Sequence, residues 1–270
     1  MRVAVVGHVE WVEFARVPHL PRRGEIVHVS DSWAEPAGGG AVAAVQLAKL
    51  AGGADFFTAL GDDELGHRAL DELERLGVHV RVAWRAEPQR RAFTHVDDEG
   101  ERTITVIGSR LVPLGADGLP WTELADADAV YFTGGDVGAL RAARAARVLV
   151  ATPRAHETLR GAGVQLDALV GSGRDPGEPY EPGDIEPPPR LVVKTLGGEG
   201  GLSWPGGRFT AAPLPGRVVD TYGAGDSFAA GLTFGLASGL GRDDAIALAA
   251  RCGAAALTGR GAFAGQLRSA

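Results

Sequence analysis

Two aspartates six residues apart, Asp220 and Asp226, frame a run of small residues, Thr221-Tyr222-Gly223-Ala224-Gly225. Val218 and Val219 lead into it, and Phe228, Leu232 and Leu236 follow it at helical spacing. Gly223 and Gly225 can take backbone angles closed to other residues, so several N–H groups can converge on one anion at the positive end of a helix. Asp226 then stands beside that anion. A carboxylate there is electrostatically awkward unless its task is to orient and deprotonate a hydroxyl that attacks a phosphoryl group. The structural alternative is a glycine-rich loop in which Asp226 caps the helix, since Asp is a favoured N-cap.

Two other glycine clusters carry similar potential. Gly38-Gly39-Gly40 opens an alanine-rich helical stretch through Leu50, again placing free N–H groups at a helix start. Close helix packing accounts equally well for Gly40 and Ala44. Gly197, Gly198, Gly200 and Gly201 follow the extended run Leu191–Leu196 and precede a hairpin over Leu202–Phe209, a turn with room for a ligand beside it.

The elements that must position these groups alternate between strand and helix. Arg2–Gly7 reads as a buried parallel strand whose carboxyl end, His8 to Glu13, faces a crevice. Further strands are expected at Asp55–Leu60, Ala129–Thr133, Val148–Ala151 and Leu166–Val170, and helices at Gly66–Leu76 and Val137–Arg147. Asp243 or Asp244 can cap a last helix. Glu25–Val29, Ser32-Trp33 and a hairpin over Arg91–Ile107, turning at Glu99-Gly100, interrupt the alternation and predict a small β flap. Pro176–Pro189 is expected to be a surface loop.

Net charge of -7 and a pI near 5.5 exclude a general nucleic-acid or membrane-surface binder. The one cysteine, Cys252, excludes an internal disulfide or a cysteine zinc cluster. No signal peptide or membrane span is evident, so a cytoplasmic protein is expected. No Gly-x-Gly-x-x-Gly follows the first strand, which argues against a dinucleotide-dependent oxidoreductase.

Asp220-Thr-Tyr-Gly-Ala-Gly-Asp226 resembles the C-terminal signature of the ribokinase-like (PfkB) carbohydrate kinases. Gly38–Leu50, Ala59–Gly66, Asp98–Thr103 and Lys194–Gly200 are similar to further family segments in the same order. The resemblance implies a single α/β domain over residues 1–270, a ribokinase-like three-layer sandwich with a mostly parallel sheet and a β lid from about 10–36 and 90–110. It also implies transfer of the γ-phosphoryl group of ATP to an alcohol of a sugar, polyol or sugar-like molecule. Nucleoside kinase and non-catalytic metabolite sensor are the alternatives. Asp226 would be the base, with Gly223, Ala224 and Gly225 as the anion hole. Lys194, Thr195, Gly197 and Gly200 would contact nucleotide, and Asp220 and Thr221 would lie near a monovalent cation such as K⁺. Mg²⁺ would accompany ATP, and a homodimer through the lid is the assembly the resemblance allows.

The substrate end departs from the family pattern. Glu10, Val12, Val42 and Gly39 stand where Asn, Asp, Asn and Lys are common, so ribose itself is not expected. Substrate contact is assigned to Glu10, Trp11, Val12, Gly38, Gly39 and Val42; Trp11 and Trp33 form either a flat apolar wall or lid packing, and Arg91 and Arg110 either meet an acidic or phosphorylated substrate or are surface charge. Ser172-Gly173-Arg174-Asp175 replaces Asn-x-x-Glu, leaving Asp175 as the metal candidate with weak Mg²⁺ affinity expected.

Overall fold

In the computed structural model, which describes residues 1–269, strand β1 (Val3–Val6) is buried on both faces. Val3 and Val5 join one apolar cluster and Ala4 and Val6 a second, so a continuous apolar run serves two helical layers. The chain continues through β2 (Glu10–Arg16), β3 (Asp31–Ala37), α1 (Gly39–Ala51), β4 (Ala54–Gly61), α2 (Glu64–Arg75) and β5 (Val78–Arg85). Next come β6 (Arg91–Val96), β7 (Arg102–Ile107), β8 (Ala129–Phe132), α3 (Val137–Ala143), β9 (Val148–Ala151) and α4 (His156–Ala162). The last part holds β10 (Ala168–Ser172), β11 (Val192–Thr195), β12 (Gly201–Trp204), β13 (Gly207–Phe209), α5 (Ala224–Ala237) and α6 (Arg242–Ala256).

Nine strands form one sheet in the order β13-β12-β11-β10-β9-β8-β1-β4-β5, parallel from β11 to β5 with an antiparallel edge at β12 and β13. Helices α1 and α5 pack on one face, α3 and α4 on the other. From β1 the chain builds outward first to β4 and β5, then on the other side to β8 and beyond. That reversal opens a crevice at the carboxyl ends of β1 and β8, where ligands bind in open α/β sheets.

Strands β3-β2-β6-β7 make a separate four-stranded sheet, the lid. Its tip is fastened to the start of α5: Thr221 N donates to Gly100 O at 3.1 Å, and Arg102 Nη1 donates to Thr221 O at 3.2 Å.

Several local expectations shift. Glu25–Val29 is not a strand; β2 at Glu10–Arg16 takes the central place, pairing with both β3 and β6. Helix α3 stops at Ala143, because Arg144 turns to Gln165 O and Asp167 while the chain bends to feed β9. Strand β5 lies at the sheet edge, and its mostly half-buried mixture of polar and apolar residues hides it from a hydrophobic-run reading. Gly241 caps α6, with Asp243 and Asp244 in its first turn. Among the described residues, no helix is long and apolar enough to cross a membrane.

Candidate active site

Asp226 does not cap α5. Gly223 holds the N-cap at φ 75°, no side chain caps this end, and Asp226 follows in the first turn. A positive φ favours glycine there, and Ala224, Gly225 and Asp226 form the first turn, where helix N–H groups lack intrahelical partners. Helix α1 begins in the same way: Gly38 is its N-cap at φ 85°, also without a side-chain cap.

The two helix starts converge. A Cβ at Gly39 would lie 2.9 Å from Asp226 Oδ1, and a Cβ at Gly223 would lie 2.9 Å from Val42 Cγ1. Small residues therefore let two positive helix ends meet around one carboxylate. Tyr222 ties them together, its hydroxyl accepting from Gly38 N at 3.3 Å.

Burial, reinforced by the charge of Glu178, pushes the Asp226 carboxyl up to about 6, against the opposing pull of Arg154 and Arg102. Such a value lets the group accept a proton near neutral pH and still be mostly ionised there.

Glu178, which lies inconspicuously inside the proline-rich loop of the sequence, is the acid placed near Asp226. Its Oε2 accepts Ser172 N at 2.5 Å, its Oε1 lies 2.7 Å from Arg154 Nε, and Gly171 leaves it room at the end of β10. Asp175, the expected metal residue, is instead turned to Arg154 and to Gly177 N. Only the acids of the loop signalled this, because the loop's path over β10 is a tertiary feature.

Of the residues expected to contact nucleotide, Thr195, Gly197 and Gly200 lie at the carboxyl end of β11 and in the turn that follows, with φ of 62° at Gly197 and 82° at Gly200. Lys194 is diverted: its Nζ donates to Tyr180 O at 2.9 Å and anchors the proline-rich loop. Both oxygens of Asp220 accept backbone N–H groups, from Tyr222 at 2.8 Å and Gly261 at 3.0 Å. Thr221 Oγ1 donates to Gly100 O. Thr221 thus latches the lid hairpin to the base of the site, while Asp220 ties its own turn to Gly261.

The substrate end is repacked relative to expectation. Val12 and Val42 are fully buried members of the core and offer no polar contact. Trp11 is 2% exposed on the lid face opposite Glu10, where the Arg68 guanidinium lies 4.5 Å from its ring centroid. Trp33 stacks on Phe14 at 4.8 Å and carries Arg260 at 4.2 Å, so neither tryptophan presents a free wall. Arg91 lies near Glu13, 3.9 Å away, on that same outer face. Its neighbour Arg90 turns inward to Glu10, Nε to Oε1 2.7 Å. Glu10 also lies 3.8 Å from His8 Nε2.

Two uncapped helix starts meeting beside a buried carboxylate are the arrangement the geometry presents. Residues 1–162 and 185–267 match the model described as pfkB family carbohydrate kinase, and the chain belongs to that family. It is an ATP-dependent carbohydrate kinase acting on a sugar-like alcohol. The chain is 30% identical to an ATP-dependent ribose-1-phosphate kinase of Halopiger xanaduensis, over 86% of this chain and 83% of that one. It is 27% identical to the fructoselysine 6-kinase of Escherichia coli, over 76% and 83%. An Arabidopsis thaliana ribokinase complexed with ribose and ATP shares the fold at a TM-score of 0.74, with 21% identity over 98% of this chain and 95% of that one. The family match omits residues 163–184, the stretch that contains Ser172, Asp175 and Glu178.

Proposed function

We propose that Asp226 is the general base of this kinase and that the N–H groups of the Gly223–Gly225 turn hold the transferring phosphoryl group. The observation that carries the reading is the position of Asp226 between two uncapped helix starts, with Gly39 leaving the space in front of Oδ1 open. The bound alcohol gives its proton to Asp226. Its oxygen attacks the γ-phosphorus in line, the bond to the bridging oxygen breaks, and ADP leaves. Charge on the phosphoryl oxygens is met by N–H groups already oriented toward it. Thr195, Gly197 and Gly200 line the nucleotide side; Lys194 is given to the loop instead.

Glu178 and Asp175 are each held by Arg154 and a backbone N–H, so either would serve Mg²⁺ only by giving up part of that pairing; Glu178 is the one whose charge acts on Asp226. The ion, when bound with ATP, supplies neutralisation of phosphate charge. The Asp220 region fits K⁺ poorly, since Arg16 and Arg102 already place positive charge beside that carboxylate. A cytoplasmic setting belongs to this reading. So does pairing of two copies through β7, an edge strand on which Ile104, Val106 and Ile107 are 40–44% exposed.

Replacement Asp226→Asn tests the assignment. ATP affinity should be retained while turnover falls at least about 10²-fold, the range for a general base. Near-normal turnover by that variant would sink it.

A further inference from the structure

The mouth of the crevice between β1 and β8 carries more positive charge at its substrate end than the phosphoryl-transfer chemistry uses. Arg154 is engaged by Glu178 and Asp175 on the transfer side. Arg90 and Arg110 share one carboxylate, Glu10, and only Arg90 contacts it. Among the described residues, Arg110 has no ion pair and no side-chain hydrogen bond.

His8 reports where these charges point. It is 5% exposed at the carboxyl end of β1, and its Nδ1 has no hydrogen-bond partner. Its proton affinity is driven well down, first by burial and then by Arg110, Arg90 and Arg154 in that order. The ring is therefore neutral at physiological pH, and it does not offset the positive charges that act on it. Gly134, at the end of β8, keeps the space beside Nδ1 open: a Cβ there would stand 3.9 Å from Nδ1 and 3.3 Å from Val112 Cγ1. Val112 lies two residues beyond Arg110 on the segment that crosses from the lid back to β8, and from this segment the charge of the solvent-exposed Arg110 acts on His8. Gly39 links the two ends: a Cβ there would lie 2.9 Å from Asp226 Oδ1 and 3.9 Å from His8 Cε1.

Two guanidiniums against one carboxylate leave a net positive charge within reach of a molecule whose hydroxyl meets Asp226. A cationic substrate group would be repelled there, because Glu10 is already paired. We propose that the alcohol phosphorylated by this enzyme bears an anionic group, a phosphate ester or a carboxylate, which Arg110 and Arg90 receive beside the open Nδ1 of His8. The inference rests on the kinase reading above and narrows its substrate class. Planar guanidiniums suit either anion, through paired N–H donors.

The experiment compares matched alcohols by ADP formation: ribose against ribose 1-phosphate and ribose 5-phosphate, and glucitol against gluconate. Wild type, Arg110→Gln and Asp226→Asn are assayed in parallel. An anionic member should exceed its neutral counterpart in kcat/KM by about tenfold to a hundredfold, the range for hydrogen bonds to charged groups. Arg110→Gln should erase that preference mainly through KM, while ADP affinity measured by calorimetry stays unchanged. The phosphate and carboxylate arms separate the two anions. Preference for the neutral members, or an unchanged ratio in Arg110→Gln, overturns the inference. Loss of ADP affinity with the ratio intact also overturns it, by assigning Arg110 to the nucleotide. Failure of the kinase reading looks different: turnover would survive Asp226→Asn. If no pair turns over, calorimetry of the same pairs without nucleotide decides. Selective binding of the anions that Arg110→Gln abolishes supports the inference, and equal or absent binding overturns it.

Discussion

Gly39 faces Asp226 so closely that a single added methyl group would lie 2.9 Å from Oδ1. The position is the first residue of α1, where alanine is a better helix former than glycine. Gly39→Ala should therefore fold at least as well as the parent yet displace the carboxylate. Turnover should fall about tenfold or more, since small misplacements of a catalytic group cost that much. Steady-state kinetics beside a thermal melt would check it, and an active Gly39→Ala enzyme would show that the carboxylate is not confined as described.

The carboxyl of Asp226, pushed up to about 6, sets the pH profile. A general base works when deprotonated, so kcat/KM should decline below about pH 6, tenfold per pH unit. An acid limb near 4 would contradict the burial argument.

Burial of Asp226 also acts on stability. Because the folded-state value lies above the unfolded one, the contribution is favourable below about pH 4 and is lost as pH rises through 6, leaving ionised Asp226 a net cost at pH 7.5. Asp226→Asn should remove a cost of about 1–3 kcal/mol, since each tenfold change in proton affinity is worth roughly 1.4 kcal/mol. A Tm raised by a few degrees in a nearly inactive variant is the expected signature; a lowered Tm would refute the linkage.

Glu178 raises the Asp226 value and is the acid of the proline-rich loop whose charge reaches the proposed transfer site. Glu178→Gln should move the acid limb to lower pH, because removing a negative neighbour and freeing Arg154 act in the same direction. It should also raise the Mg²⁺ concentration needed for half-maximal rate. The Mg²⁺ titration and pH profile can be read on one preparation, and an unshifted limb would exclude the proposed proximity.

Arg102 joins the lid to the floor of the site through Thr221 and contributes positive charge at Asp226. Arg102→Met should loosen the lid and raise KM for the alcohol several-fold. The acid limb should move upward, opposite to the change expected for Glu178→Gln. Unchanged KM and pH profile would show the contact to be incidental.

What could be learned from the chain alone is what is local along it. Asp220 to Asp226 is one contiguous turn, and backbone freedom at Gly223 together with the onset of a helical pattern marks an anion cradle before any contact is known. The alternation of strands and helices, and the lid hairpin over Arg91–Ile107, are likewise written in short-range periodicity. Whether Asp226 caps its helix or stands free within the first turn was not local. It depends on where the N-cap falls and on α1 arriving at Gly39. Glu178, Arg90, Arg110 and His8 come from different elements, and their pairing exists only once β1, the lid and the proline-rich loop meet. Trp11 likewise reads as a ligand wall until strand alternation turns it toward Arg68. The reaction is thus legible in a contiguous motif because backbone geometry is short-ranged. The charge balance that selects its substrate was decided by tertiary structure, because desolvation and ion pairing depend on which distant side chains share a buried space.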